Sequence, residues 1–404
     1  MEVKIDPRAE WKQMFVEAWR INRDFFYDPG MHGVDWPKMR EKYGEFLPFV
    51  AHRSDLTFLI GEMIGELHVG HAYVGGGDYP KVERVPGGLL GADFEIVNGR
   101  YRIKKIYSGL NWNPDLRAPL TEPGVNVKVG DYILRVNGKE LKAPINIYSL
   151  FEKTAGKMVT LTVNSKLTEE GSRTVTVVPI ASERALRNRD WIESNLRKVH
   201  ELSNGRVGYV YLPNTAGAGY TYFNRYFYAQ LGKEAFVIDE RFNGGGYAAD
   251  YIVDMLDRPL LSYWATRDGK DFTTPVASIF GPKVMIINEY AGSGGDALPL
   301  YFRRRGLGKL VGKRTWGGLI GIYDYPRLMD GGYVTAPRVA IWSPDGKWEV
   351  ENIGVYPDIE VEYTPAEVIA GHDPQLEKAV EIVLKELEKN PPKKPKRPPY
   401  PIKR

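Results

Sequence analysis

The chain has 404 residues, 43% of them hydrophobic and 26% charged, with a formal net charge of +4 and no cysteine. This is room for two or three domains with full cores, at the balance of a soluble globular protein. It excludes disulfides, thiol catalysis and thiolate metal sites. With no apolar run of about 18 residues, no membrane-spanning helix is expected. Six basic residues and no acidic ones lie between Pro391 and Arg404, so the remainder carries −2 and is no nucleic-acid surface.

The N-terminus, Met1-Glu2-Val3-Lys4-Ile5, lacks the apolar segment of a signal peptide. With the absence of cysteine, this predicts a cytoplasmic protein. Residues 1–81 read as a helical subdomain. Asp6-Pro7 caps a first helix, with Trp11, Met14, Phe15, Ala18 and Trp19 at helical spacing. Asp35 caps a short second helix, and Ser54 is expected to cap a third whose face is Leu56, Leu59, Ile60, Met63, Ile64 and Leu67. The third helix runs into His68-Val69-Gly70-His71 before a strand-like Ala72-Tyr73-Val74. A histidine at such a boundary can serve as a general base, since its pKa lies near neutrality. It can equally be a satisfied core or surface histidine. A metal pair with His68 lacks the intervening glutamate of the His-Glu-x-x-His pattern.

Residues 82–182 read as a β-domain. The strand-like runs are 92–97, 101–103, 132–136, 159–163 and 173–177, with Asn98-Gly99 and Asn137-Gly138 as hairpin turns. Val127-x-x-Gly130-Asp131 before a strand and an Asn-Gly turn resembles the PDZ pattern. Gly87-Gly88-Leu89-Leu90-Gly91-Ala92 resembles its carboxylate-binding loop, with Leu89, Leu90 and Gly91 as candidate peptide-binding residues. The other reading is a β-domain that joins its flanks and binds nothing.

Residues 183–389 alternate strand and helix. Strands are expected at 207–212, 235–239, 283–287 and 310–311, and helices at 220–231, 248–256 and 296–304. Apolar strands between helices imply a largely parallel sheet, whose site lies beyond the strand C-termini. Two glycine-rich loops follow strand ends there. One is Asn243-Gly244-Gly245-Gly246; the other is Ala291-Gly292-Ser293-Gly294-Gly295. A serine at a helix N-terminus sits where free N–H groups favour negative charge, so Ser293 is the candidate nucleophile. It could also be a plain helix cap. Ala291 departs from the Gly-x-Ser-x-Gly elbow. The first loop has no Gly-Lys-Ser/Thr and is no phosphate loop. An oxyanion hole from the N–H groups of Gly246 and Gly294 is the better physical use. Residues 348–361 read as strand, loop and strand, with Glu351 and Asn352 before the loop. Asp373-Pro374 caps a last helix through Glu388, and 390–404 is expected to be a disordered basic, Pro-rich tail.

Four motifs now stand in order: Arg241-Phe242-Asn243-Gly244-Gly245-Gly246, Asn288-Glu289-Tyr290-Ala291-Gly292-Ser293, Glu351-Asn352-x-Gly354-Val355-x-Pro357-Asp358 and Asp373-Pro374-Gln375-Leu376. Together with the PDZ-like insert they resemble the tricorn-type serine proteases, relatives of the carboxyl-terminal processing proteases. The resemblance implies a multidomain α/β fold with a crotonase-like α/β protease core and a peptide-hydrolysing centre. Ser293 would be nucleophile, His71 its base, and Gly246 and Gly294 the oxyanion hole. Glu351 would close the Ser-His-Ser-Glu relay. The relay's second serine precedes the histidine; here that position is Gly70. The family often has an acid after the nucleophile, where this chain has Gly294. A homo-oligomer of six subunits, peptide or unfolded-protein substrates and no metal or organic cofactor are implied. Two other readings stay open: a peptide-binding scaffold with a decayed protease core, and a crotonase-type acyl-CoA enzyme.

Overall fold

The computed structural model describes residues 4–391 and 395–403. The chain divides into two compact units, one of Met1–Pro80 with Leu196–Arg404, the other Lys81–Asn195.

The first unit opens with three helices. The Asp6 carboxylate accepts from the N–H groups of Arg8 and Ala9 at 3.1 and 3.3 Å, starting α1 (Pro7–Phe25). Asp35 accepts from Lys38 N at 3.1 Å and starts α2 (Trp36–Gly44). The third helix, α3 (Arg53–Gly65), starts at His52 and not at Ser54. The Asp55 carboxylate takes the N–H groups of Ala51 and His52 at 3.0 and 2.9 Å, which fixes the entry two residues earlier than a Ser54 cap allows. The buried faces of α1 and α3 share one core with Leu328, Val334 and Ala336, so the N-terminal helices are sealed by a later segment. After α3 the chain turns at His68, whose φ is 49°, and reaches a short strand β1 (Val74–Gly75).

The second unit is an antiparallel sheet of β2 (Ala92–Val97), β3 (Arg100–Ile106), β4 (Tyr132–Val136), β5 (Lys139–Glu140), β6 (Val159–Asn164) and β7 (Arg173–Val177). Their order is β2-β3-β4-β6-β7, with β5 on β4. The Asn98-Gly99 and Asn137-Gly138 turns are both left-handed at both residues, as the twist of a two-residue hairpin requires. Alternate residues of β6 and β7, Val159, Leu161, Val163, Val175 and Val177, are buried with Ile133, Val136 and Phe151. Helix α4 (Arg184–Leu202) follows.

The first unit resumes with β8 (Val207–Tyr211), α5 (Gly217–Tyr228), β9 (Ala235–Asp239) and α6 (Ala249–Leu256). After them come an exposed hairpin of β10 (Ser262–Trp264) and β11 (Phe272–Thr274), then β12 (Lys283–Ile287), α7 (Gly294–Arg304) and β13 (Gly308–Gly312). The last elements are β14 (Tyr333–Val334), β15 (Ile359–Glu360), α8 (Pro365–Ile369) and α9 (Pro374–Lys389). Five strands form one parallel sheet in the order β15-β13-β12-β9-β8. Every residue of β8, β9 and β12 is buried, which is why these strands read as continuous apolar runs. β14 pairs antiparallel with β1. The first strand expected within 348–361 does not form beyond a single bridge from Trp342 to Trp348, because Val350 and Asn352 adopt left-handed φ of 73° and 60°. Asp373 caps α9 by accepting from Leu376 N at 3.0 Å. Of the basic tail, 392–394 and 404 lie outside the described residues; Arg397 pairs with Asp271.

Candidate active site

The carboxyl ends of β9 and β12 place the two glycine loops side by side. Register brings Asp239 beside Ile286, and the pairing continues past the strands. Glu240 N donates to Ile286 O at 3.0 Å, and Gly292 N donates to Asn243 O at 3.0 Å. The Asn288 side chain accepts from Phe242 N and Tyr290 N at 2.9 and 3.2 Å, clasping both loops. At the contact only glycine fits. A Cβ on Gly294 would stand 2.2 Å from Gly246 O and 2.0 Å from Thr215 Oγ1. The close approach of the loops therefore leaves no room for a side chain at position 294. Among the described residues, the N–H groups of Gly246 and Gly294 have no hydrogen-bond acceptor.

Ser293 caps α7 with φ 57° and ψ −118°, a conformation an L-residue adopts only when its surroundings enforce it. The enforcing group is Asp296, fully buried one turn into α7. Its carboxylate accepts from Ser293 N at 2.8 Å, Thr315 Oγ1 at 2.5 Å, Gly317 N at 2.8 Å and Gly318 N at 3.2 Å. Burial pushes its pKa up, and these four donors oppose that. Asp296 thus ties the serine turn to the Thr315-Trp316-Gly317-Gly318 strap. Sequence reasoning missed this residue; its place three after Ser293 was the available signal.

Glu240, behind the loops, is fully buried, and neither carboxyl oxygen has a hydrogen-bond partner among the described residues. Burial, with Asp296 and Asp239 nearby, raises its pKa far above the usual range, so it is held neutral. A raised folded pKa gives stability that is present below the unfolded value and lost as pH rises. Glu240→Gln, neutral at every pH, is expected to flatten the fall of the melting temperature as pH rises above the ordinary glutamate value of about 4.3; an unchanged slope would argue against a raised Glu240 pKa.

His71 reaches the same place from the turn after α3. Thr335 Oγ1 donates to His71 O at 2.6 Å and accepts from Tyr73 N at 2.7 Å, fastening this segment to β14. His71 is 8% exposed, and among the described residues its buried Nδ1 has no hydrogen-bond partner. Burial lowers its pKa, with the Glu351 charge opposing. Glu351 does not hold the ring by a hydrogen bond. Its carboxylate accepts from Gly70 N at 2.6 Å, Leu319 N at 2.8 Å and Ile320 N at 2.9 Å, so it fixes the backbone ahead of the histidine. Asn352 donates to His68 O at 2.7 Å.

Trp316 fills the gap at Gly70. Its ring lies 5.3 Å from the His71 ring, centroid to centroid. A Cβ placed on Gly70, Gly292 or Gly318 would lie 3.1, 2.6 or 2.3 Å from an indole carbon. Three glycines thus make the slot for one tryptophan. Sequence reasoning missed Trp316 too, since nothing local connects it to Gly70.

His71, Gly246, Ser293 and Gly294 all line one cavity of 540 Å³. Its other walls include Ala297, Leu319, Ile322, Val339 and Ile341, with Asp250 the one acidic lining residue. Leu89, Leu90 and Gly91 belong to the second unit, in the segment entering β2. Among the described residues no cluster of three or more His, Asp or Glu could hold a metal. None of their helices is long and apolar enough to cross a membrane.

Known proteins place this architecture. Residues 7–65 match the tricorn protease C1 domain, residues 88–182 the tricorn protease PDZ domain, and residues 206–361 peptidase family S41. Tricorn protease homolog 1 of Streptomyces coelicolor is 39% identical over 394 residues, 97% of this chain and 37% of the relative. The tricorn protease of Thermoplasma acidophilum is 34% identical over 378 residues, 94% of this chain and 35% of the relative. A crystal structure of the tricorn protease superposes with a TM-score of 0.89 at 34% identity, over 95% of this chain and 37% of that one. The chain thus spans well under half the length of these relatives. With matches to the tricorn protease C1 domain, the tricorn protease PDZ domain and peptidase family S41 in this order, the chain is similar to tricorn proteases over nearly its whole length.

Proposed function

We propose that the chain is a serine endopeptidase that cleaves peptides or unfolded protein through an acyl-enzyme on Ser293. The observation that carries this reading is the single cavity lined by Ser293, His71, Gly246 and Gly294. In the first step Ser293 Oγ attacks the scissile carbonyl, and His71 takes the hydroxyl proton as general base. The N–H groups of Gly246 and Gly294 receive the carbonyl oxygen as it becomes an oxyanion. His71 then gives the proton to the leaving amine, and water repeats the sequence on the ester. The apolar walls favour an apolar side chain beside the cleaved bond. Cytoplasmic residence and a homo-oligomer, six subunits by family resemblance, belong to the same proposal; light scattering in solution tests the assembly. The experiment for the activity is digestion of an unfolded protein, with fragments mapped by mass spectrometry. Wild type should give discrete internal cuts and Ser293→Ala none; fragments unaltered by that substitution would reject the reading.

Glu351 acts here through the backbone of Gly70 and the segment 319–320, and Trp316 holds the imidazole by packing. This leads to a pH prediction. A base must be neutral to accept a proton, and burial lowers the His71 pKa. The acid limb of kcat/KM should therefore fall below the ordinary histidine value of about 6.5. Trp316→Ala, which admits water to the ring, should move the limb upward. A wild-type limb at or above the ordinary value would contradict the arrangement.

Restoring the family serine should not help. A Gly70→Ser side chain would begin 2.9 Å from Gly318 Cα and 3.1 Å from the Trp316 ring. Overpacking of this kind costs about 1–3 kcal/mol. Gly70→Ser is expected to lower both melting temperature and kcat/KM, with partial recovery when combined with Trp316→Val. A more active single variant would show that the slot is looser than this.

A further inference from the structure

A PDZ loop captures a peptide C-terminus with consecutive backbone N–H groups, while the peptide adds to the neighbouring strand edge. In this chain the strand is β2, which lies at one edge of its sheet. The loop, however, is occupied. Gly91 N and Ala92 N donate to one carboxylate oxygen of Glu183, at 2.7 and 3.3 Å. Leu89 N donates to Ile180 O at 2.8 Å. Three of the four N–H groups from Leu89 to Ala92 are therefore used internally, two of them by a carboxylate.

Glu183 is built into this position. It is 7% exposed. Its second oxygen accepts from Arg187 Nη2 and Nε at 2.6 and 3.0 Å. Arg187 is anchored in turn by Asp93 at 2.8 Å and by the Tyr107 hydroxyl at 2.7 Å, and Tyr107 donates to Asp93 at 2.7 Å. The apolar half of a ligand is present as well. Leu186, one turn further on, is 1% exposed and packs with Tyr107, Ala118 and Ile180. A Cβ on Gly91 would already lie 3.2 Å from its methyl. A carboxylate on the loop and an apolar side chain against it are the two features by which a C-terminal residue is recognised.

We propose that Glu183, with Leu186, is the built-in ligand of this PDZ loop, so that the intact chain takes no free C-terminal carboxylate there. The loop then works as a joint that fixes the start of α4. A charge-assisted bond to two backbone donors, backed by Arg187, is held on the same chain, and an incoming terminus must displace it. This inference rests on the PDZ unit alone and is independent of the chemistry at Ser293.

The test uses the full chain and a short fluorescein-labelled peptide ending in leucine, as free acid and as amide, read by anisotropy. Wild type should not distinguish the two forms. Glu183→Ala should bind the free acid at least about tenfold more tightly than the amide. Acetate should raise its melting temperature more than chloride does, with no such difference for wild type. Hydrogen exchange on wild type gives a reading that needs no variant: the Gly91 and Ala92 amides should be protected without peptide, and less so in Glu183→Gln. Preference of wild type for the free acid, or unprotected Gly91 and Ala92 amides in wild type, would overturn the proposal. So would a folded Glu183→Ala that gains neither carboxylate binding nor acetate response.

Discussion

Replacing Arg241 by methionine is expected to cost about 3–5 kcal/mol of stability, the usual penalty for removing one partner of a buried ionic network. Arg241 is completely buried. Its guanidinium reaches Asp239 at 3.0 and 2.7 Å, Asp373 at 3.0 and 2.9 Å, and Gln375 Oε1 at 3.2 Å. Methionine fills much of the volume but leaves Asp239 and Asp373 buried without their counter-charge. Asp373 also caps α9, and Asp239 ends β9, so the loss strikes both the closing helix and the loop that begins at Asn243. A domain of typical stability has about 5–15 kcal/mol in all, so the denaturation midpoint should fall by a large fraction. Two motifs that stand 132 residues apart in the chain, around Arg241 and around Asp373, prove to be one network. A loss below about 1 kcal/mol would mean that the carboxylates find water or another cation.

Ser293→Ala should lower kcat by about 10⁴- to 10⁶-fold with little change in KM, since it removes the proposed attacking atom and leaves the other cavity walls intact. The fold should survive, because the backbone bond from residue 293 to Asp296 and the strap it holds do not involve the hydroxyl. Loss of activity with loss of the melting transition would instead mark Ser293 as structural.

Much of the fold was legible because its causes are local. Asp6, Asp35 and Asp373 cap the helices they precede, and both Asn-Gly turns close hairpins. The parallel strands announced themselves by unbroken apolar runs. Helix α4 was not read: its fully buried apolar contacts are Leu186, Ile192 and Val199, spaced about two turns apart, which gives little helical periodicity. The hairpin of β10 and β11 was missed for a similar reason, since its strands have three residues each and β10 is exposed throughout. At the site, the serine turn and both glycine loops could be read because each is a contiguous stretch. Asp296, Trp316 and Glu183 were not, because their partners are set by tertiary packing. The slot at Gly70 depends on Gly292, Gly318 and Trp316 together, and no spacing rule connects them.

The most direct measurement of the central claim is covalent labelling with a fluorophosphonate probe of wild type, Ser293→Ala and His71→Ala. The account predicts that wild type labels, that Ser293→Ala does not, and that His71→Ala labels much more slowly, with a rate in wild type that persists to mildly acidic pH. A folded wild type that takes no probe, or a label that survives Ser293→Ala, would contradict it.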